Sequence, residues 1–307
     1  MLKRKVSVVI VSFNTREKLK RCLECIEPEH DTIVIDNAST DGSAEMVASV
    51  FPAVTLIRND FNRGFGAANN QGCAVASGDA VLFLNSDAYA DPGSIACLAA
   101  IFDNPAVVAA GGRLLNPDRT LQGSTANGLT LWAVFCEQTY LEKAIPGSRW
   151  FNPYWTTQRL AQSVEPQAST QVMGACLMVR AEAGRPPELF DERYFLYCED
   201  TDLCRRLSRH GTLMYVPMAT FVHDLGSSSA KDPAIGVIRY NRGKELYIRI
   251  HHGPLASVIC LILDRLGASL RLTAWAAKCI LSGFRNRAAK DQAGAFRRVL
   301  TAPRIER

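Results

Sequence analysis

The 307-residue chain lacks several features that would set its class at once. It has no disulfide framework, because its ten cysteines fall at irregular positions; in a chain this long that pattern points to a reducing compartment. Cys22 and Cys25 form a C-x-x-C with no second pair nearby, so they read as two cysteines on a helix face rather than a zinc or redox site. No cleavable leader is expected. Met1–Lys5 followed by Val6–Val11 mimics one, but no small-residue cleavage site follows and the apolar run is short and β-branched, so it reads as a first strand. Internal repeats and low-complexity runs are absent. The loop after that strand, Ser12-Phe-Asn-Thr15, is not the Gly-rich, Lys/Arg-bearing loop that a nucleotidyltransferase would want.

An apolar content of 48% with 21% charged residues describes a folded globular chain. The net charge of +5 hides an asymmetry. From Lys231 onward there are 15 Lys and Arg against 5 Asp and Glu, which leaves 20 against 25 in the first 230 residues. The front reads as a soluble domain and the tail as a segment that meets an anionic surface. No nucleic-acid partner is expected.

The first half alternates short buried strands with helices. Val6–Val11, Thr32–Asp36, Val54–Arg58, Ala80–Leu84 and a strand from Val107 are separated by helical stretches near Thr15–Ile26, Ala44–Val50, Ala67–Ala76 and after Pro92. This is the pattern of an α/β fold, a mostly parallel central sheet with helices on both faces. Ligands in such sheets bind beyond the carboxyl ends of the strands. Three polar clusters sit there: Ser12–Asn14, Asp36–Asn37 and Asn85–Asp87. Past Asn116 the alternation stops. Residues 121–169 hold three of the four Trp, and read either as an aromatic acceptor wall or as a helical insertion with its own core. Val172–Val179 and Leu213–Val216 return to strands.

Two clusters carry chemistry. Phe195–Leu207 is an aromatic approach to Glu199 and Asp200, with a helix directly behind. A helix start can hold a carboxylate ionised and aim it into a cleft, or the pair can cap the helix and bridge to Arg205 and Arg206. Asp202 is expected to pair with a nearby Arg. Asp87 ends a strand, and His223 follows one and precedes the Gly226–Ser229 loop. A carboxylate and an imidazole can together bind Mg²⁺ or Mn²⁺ while a substrate diphosphate fills the remaining positions. Asn62-Arg-Gly-Phe-Gly66 is either a phosphate cradle or a tight loop.

Six ordered segments carry a family likeness: Val8–Asn14, Val34–Ser43, Asn62–Asn70, Leu84–Ala88, Gly174–Cys176 and Tyr197–Leu203. Across about residues 5–230 the chain resembles glycosyltransferase family 2, within it the bacterial rhamnosyltransferase-like enzymes of cell-surface polysaccharide assembly. The resemblance implies a GT-A fold, a nucleotide-sugar donor, a divalent metal and inversion at the anomeric carbon. By that likeness Asp36 contacts the base or ribose, Ser12 and Asn14 flank the same pocket, and Asn62, Gly64 and Asn69 approach the donor. Asn37, Asn85, Ser86 and Gly174 belong to the donor-binding set. Asp87 is the metal-binding acid, joined by His223. Asp200 is the catalytic base, with Glu199 orienting the acceptor or the helix start. Position 85 is Asn where the metal motif has its first Asp, so one of its two acids is missing. The implied reaction moves L-rhamnose from a dTDP-linked donor to a hydroxyl of a polyprenyl-diphosphate-linked glycan; transfer of another sugar, or a noncatalytic nucleotide-sugar-binding subunit, are the alternatives.

The expected organisation is a catalytic domain over 1–230, including the 121–169 insertion, and a helical basic region over 231–307. In the apolar stretch 254–284 the charge-free run Pro254–Leu263 is well short of the about 20 residues a bilayer span needs. Ser257, Asp264, Arg271, Lys278 and Arg285 recur every seven residues, forming one polar stripe on a helix that is otherwise apolar. Such a helix can lie in the interface of the cell membrane's inner, cytoplasmic face, its basic residues on anionic headgroups. It can equally pack on its own domain or on a second subunit in a homodimer.

Overall fold

The computed structural model describes residues 4–181, 186, 188–225 and 232–303; the Gly226–Ser229 loop lies outside the described residues. In chain order the elements are β1 (Val6–Ser12), α1 (Arg16–Glu24), β2 (Asp31–Asp36), α2 (Ser43–Val50), β3 (Thr55–Arg58), α3 (Phe65–Val75), β4 (Ala80–Asn85), β5 (Ala88–Ala90), α4 (Ser94–Ala100), β6 (Val107–Leu115), β7 (Thr125–Ala126), α5 (Leu131–Gln138), α6 (Leu141–Ala144), α7 (Thr157–Leu160), β8 (Gln167–Ser169), β9 (Gln171–Val172), β10 (Cys176–Arg180), α8 (Glu199–Leu207), β11 (Thr212–His223), α9 (Pro233–His252), α10 (Pro254–Leu281) and α11 (Arg287–Thr301). They fall into two compact units. The first is Met1–Gly128, Trp155–Phe195 and Glu199–Ser228; the second is Leu129–Tyr154, Leu196–Cys198 and Ser229–Arg307.

The first unit is built on one sheet in the order β3-β2-β1-β4-β10-β6-β11-β5, with β8 beside β11. β3, β2, β1 and β4 run parallel, as do β6 and β11, while β10 is antiparallel between β4 and β6. Alternate residues of each central strand enter opposite cores. Val8, Ile10, Val34 and Leu82 pack with Leu19 and Leu23 of α1 and Val47 of α2. Val9, Ile33, Ile35 and Phe83 pack with Ala68 of α3 and Leu203 and Leu207 of α8. This is the mostly parallel, helix-covered sheet that the β-branched runs predict.

Three local departures shape the site. The run Val172–Val179 is not one strand: β9 pairs with β7 in a separate two-stranded sheet, the chain turns at Met173–Ala175, and β10 joins the main sheet. Uniform apolarity hid the break, and Gly174 marks it. β11 extends to His223 instead of ending at Val216, with a register shift between Val216 and Thr220. Pro217 lies inside that shift, where its missing N–H interrupts no ladder bond. β5 follows Asp87 directly and pairs antiparallel with β11, setting Ala88 opposite His223.

The second unit is helical, and it includes part of the span assigned from sequence to the catalytic domain. Leu129–Tyr154 cluster with the C-terminal helices. The reason is an ion-pair centre. Lys244 of α9 is fully buried, 3.1 Å from Glu137 Oε2 of α5 and 2.7 Å from Asp264 Oδ1 of α10. Arg271 Nη1 donates to Gln138 O at 3.2 Å and Gln138 Oε1 at 3.0 Å. Ala234, Ala268 and Val299 form a small core with Val237, Ile238 and Phe296. The heptad stripe of α10 therefore does not face out along its length. Ser257 and Asp264 are buried, because Asp264 answers Lys244.

Candidate active site

Parallel pairing sets Ser12 beside Asp36 at the carboxyl ends of β1 and β2. Asn37 N donates to Ser12 O at 2.8 Å, and Ser39 N to Asp36 Oδ2 at 3.1 Å. The other oxygen, Asp36 Oδ1, is buried without a partner among the described residues. A buried carboxylate oxygen left open this way suits a ligand hydroxyl or N–H. Asn14 takes a left-handed φ of 55° and accepts from Thr40 N at 2.7 Å through Oδ1. Asn37 organises the next loop: Nδ2 donates to Asn62 Oδ1 at 2.9 Å and Gly64 O at 3.2 Å, and Oδ1 accepts from Arg63 N at 3.0 Å. Gly64 sits at φ +88°, and a Cβ there would lie 2.6 Å from Phe195 O, so only glycine fits. Asn69 is buried on α3 and donates to Phe65 O at 3.0 Å.

A chain of buried hydroxyls leads from this pocket to the next cluster. Ser12 Oγ is 3.0 Å from Thr15 Oγ1, which donates to Ser86 Oγ at 3.0 Å. Asp87 follows, its Oδ1 3.3 Å from His223 Nε2. Asn85 Nδ2 is 3.2 Å from the same ring nitrogen. Gln122 decides the tautomer. Its Nε2 donates to Asn116 Oδ1 at 2.8 Å and His223 O at 3.0 Å, so its Oε1, 2.7 Å from His223 Nδ1, accepts. His223 then carries a proton on Nδ1, and its Nε2 faces the Asp87 carboxylate. Two electron-rich atoms held this close fit a shared cation, with the imidazole oriented from behind as metal-binding histidines are. Among the described residues no third His, Cys, Asp or Glu joins them, so a ligand's own oxygens would complete the coordination. Sequence reasoning missed Gln122, Thr15 and their contacts; Gln122 lies in the aromatic insertion, where no motif singles it out.

The third cluster joins the second through the turn before β10. Asn85 N donates to Ala175 O at 3.1 Å, and Gly174 N donates to Asp200 Oδ2 at 2.8 Å. Thr201 N donates to Asp200 Oδ1 at 2.8 Å. A Cβ on Gly174 would lie 3.0 Å from Asp200 Cβ, so the glycine permits this approach. One bonded path therefore runs from Asp200 through Gly174, Ala175 and Asn85 to His223 and Asp87, all within the first unit. The two acids differ. Asp200 keeps partial solvent access, and burial pushes its carboxyl up against the opposing hydrogen bonds from Gly174 and Thr201. Glu199 is buried and pushed up to about 8, by burial first and the Asp200 charge second. Its Oε2 has no partner among the described residues. At neutral pH Glu199 is thus a neutral acid beside a carboxylate. Asp202 pairs with Arg206 Nε at 2.8 Å, the structural role expected of it.

Residues 7–173 match the model of glycosyl transferase family 2. The chain is 31% identical over 264 residues, 80% of its length and 84% of the relative's, to N-acetylglucosaminyl-diphospho-decaprenol L-rhamnosyltransferase of Mycobacterium tuberculosis. Its fold is shared with the mannosyltransferase PcManGT of Pyrobaculum calidifontis, solved with GDP-Man and Mn²⁺ (TM-score 0.57, 14% identity, 98% and 88% of the two chains). It is shared too with residues 1–349 of TarS from S. aureus (TM-score 0.51, 16% identity, 97% and 81%).

Proposed function

The chain belongs to glycosyltransferase family 2, and on that premise we propose that it transfers L-rhamnose from dTDP-L-rhamnose, with inversion, to a hydroxyl of a polyprenyl-diphosphate-linked sugar. The observation that supports the reading is the bonded path from Asp200 to the Asp87–His223 pair, which links the proposed base to the proposed anion-neutralising pair. The M. tuberculosis relative, whose name states an L-rhamnosyl transfer to a decaprenol-linked sugar, supports the sugar and the acceptor class.

The nucleoside lies against Asp36, whose open Oδ1 takes a ligand donor, and the loop held by Asn37 and Gly64 borders the donor. Asp200 accepts the proton of the acceptor hydroxyl as that oxygen bonds to the anomeric carbon. The bond from that carbon to the diphosphate breaks on the opposite face, so configuration inverts. Mg²⁺ or Mn²⁺ held by Asp87 Oδ1 and His223 Nε2 would neutralise charge growing on the leaving diphosphate. Gln122 keeps the His223 lone pair turned to that site. Glu199, neutral at pH 7, donates to the acceptor and so holds it for Asp200. General base assistance of this kind contributes roughly 10²–10⁴-fold. A water-soluble donor and a lipid-held acceptor meet at a bilayer surface, and we assign the cytoplasmic face.

The test is a donor panel. Purified chain with a polyprenyl-diphospho-N-acetylglucosamine acceptor should release dTDP from dTDP-L-rhamnose faster than it releases nucleoside diphosphate from UDP- or GDP-linked hexoses. Faster use of another donor overturns the sugar; no release from any donor overturns the reaction.

A further inference from the structure

α10 presents its apolar side to solvent and its polar side to the interior. Ser257, Cys260, Asp264 and Gly267 are buried in the second unit, and Asp264 is fixed there by Lys244. The opposite face carries Leu255, Val258, Ile259, Ile262, Leu266 and Leu270, with Leu255 75% and Ile262 60% exposed. These positions recur at spacings of three and four, so they form one stripe. Ile280, Leu281 and Phe284 continue it, Leu281 at 88% exposure. From Leu255 to Leu281, at about 1.5 Å per residue, the stripe runs roughly 40 Å. The inward network keeps the helix turned this way. Rotating it to hide the leucines would carry Asp264 away from Lys244 and leave a buried ammonium with one of its two carboxylates gone.

Charge says what covers the stripe. No Asp or Glu occurs from position 265 to 290, where six Lys and Arg do. Arg265 and Arg271 are bound to carbonyls of the second unit. Lys278, Arg285, Arg287 and Lys290 are exposed, and no ion pair among the described residues involves them. Lys278 lies 5.0 Å over the Trp275 ring and Lys290 5.9 Å over Phe284, so cation and aromatic sit together at the stripe's end. A second copy of this chain would bring to the stripe the same acid-free face, since the one acid of α10 is buried. No helix of the described residues is long and apolar enough to cross a membrane.

We propose that α10 lies flat on an anionic lipid bilayer, with the Leu255–Leu270 stripe and Phe284 at the acyl boundary and Lys278, Arg285, Arg287 and Lys290 on lipid phosphates. The inference rests on the surface of the helical unit and holds whichever sugar is moved.

Flotation of the full chain with phosphatidylcholine vesicles, with and without phosphatidylglycerol, tests it. The chain should float with the anionic vesicles at low salt and be released at high salt. Reversing Arg285, Arg287 and Lys290 to Glu should weaken binding by roughly 10²-fold. Ile262→Glu with Leu266→Glu should weaken it by more than ~10-fold. Both variants alter exposed side chains, and should keep the far-UV circular dichroism and the nucleoside diphosphate release of the parent in detergent. Failure to float, equal flotation on neutral vesicles, or variants that float like the parent would overturn the proposal. A dimer in size exclusion that the Ile262/Leu266 variant dissociates, with no vesicle binding, would make the stripe a self-interface instead. Flotation without sugar transfer would overturn the transferase reading and leave this one standing.

Discussion

Glu199→Gln should make the protein more stable at neutral pH, by an amount that grows as pH rises. The carboxyl of Glu199 is held at about 8 against an ordinary 4.5. The folded state therefore keeps a proton that the unfolded chain has already lost, so stability falls as pH rises through that window and levels off above it. Each pH unit inside the window costs about 1.4 kcal/mol for one group. Between pH 5 and pH 7 the wild-type chain should lose up to ~3 kcal/mol through Glu199 that the Gln variant keeps. Asp200 is raised in the same direction, but it is present in both proteins and largely cancels in the difference. Urea unfolding of both proteins at pH 5, 6 and 7 measures this directly. The gap in unfolding free energy should widen with pH in favour of the variant. Parallel pH profiles would show that Glu199 is already ionised in the folded protein, and the neutral-acid role would fall with it.

Gly174→Ala should disturb Asp200 specifically. The new methyl would lie 3.0 Å from Asp200 Cβ and 3.2 Å from Oδ2, so the carboxylate must shift. The shift needed is a few tenths of an ångström, short of the ~1 Å misplacement that costs roughly 10²-fold, so turnover should fall by about 3–10-fold with donor KM little changed; an unchanged kcat would show that the site absorbs the methyl. Asp87→Ala should lower turnover by roughly 10²–10³-fold and weaken donor binding. In the unaltered chain a chelator should abolish activity and Mg²⁺ or Mn²⁺ restore it; full activity in chelator would remove the metal role from both Asp87 and His223.

Much of this arrangement is written locally. Strands buried on both faces need unbroken β-branched runs, and the polar residues that end them, Ser12, Asp36 and Asn85, stand out against that background, with Asp87 two positions on. The helix start at Glu199 is legible for the same reason, since Leu203 and Leu207 supply the period. What stays hidden depends on contacts distant in sequence. Gln122 reaches His223 across 101 positions, and nothing in its own neighbourhood predicts that meeting. The antiparallel entry of β10 is invisible because an apolar strand reads the same in either direction. On α10 the seven-residue spacing identifies a polar stripe but is blind to which side faces inward. That was decided by Lys244, twenty residues before Asp264 and buried only once α9 and α10 fold back on each other.

In the proposed reaction Asp200 removes the acceptor proton at a donor site it does not itself build. Wild-type and Asp200→Asn chains should be compared by calorimetric donor binding and by single-turnover release of nucleoside diphosphate in the presence of acceptor. The expected result is an unchanged donor Kd and a rate lowered by roughly 10²–10⁴-fold. A variant that turns over within a few-fold of wild type would contradict it.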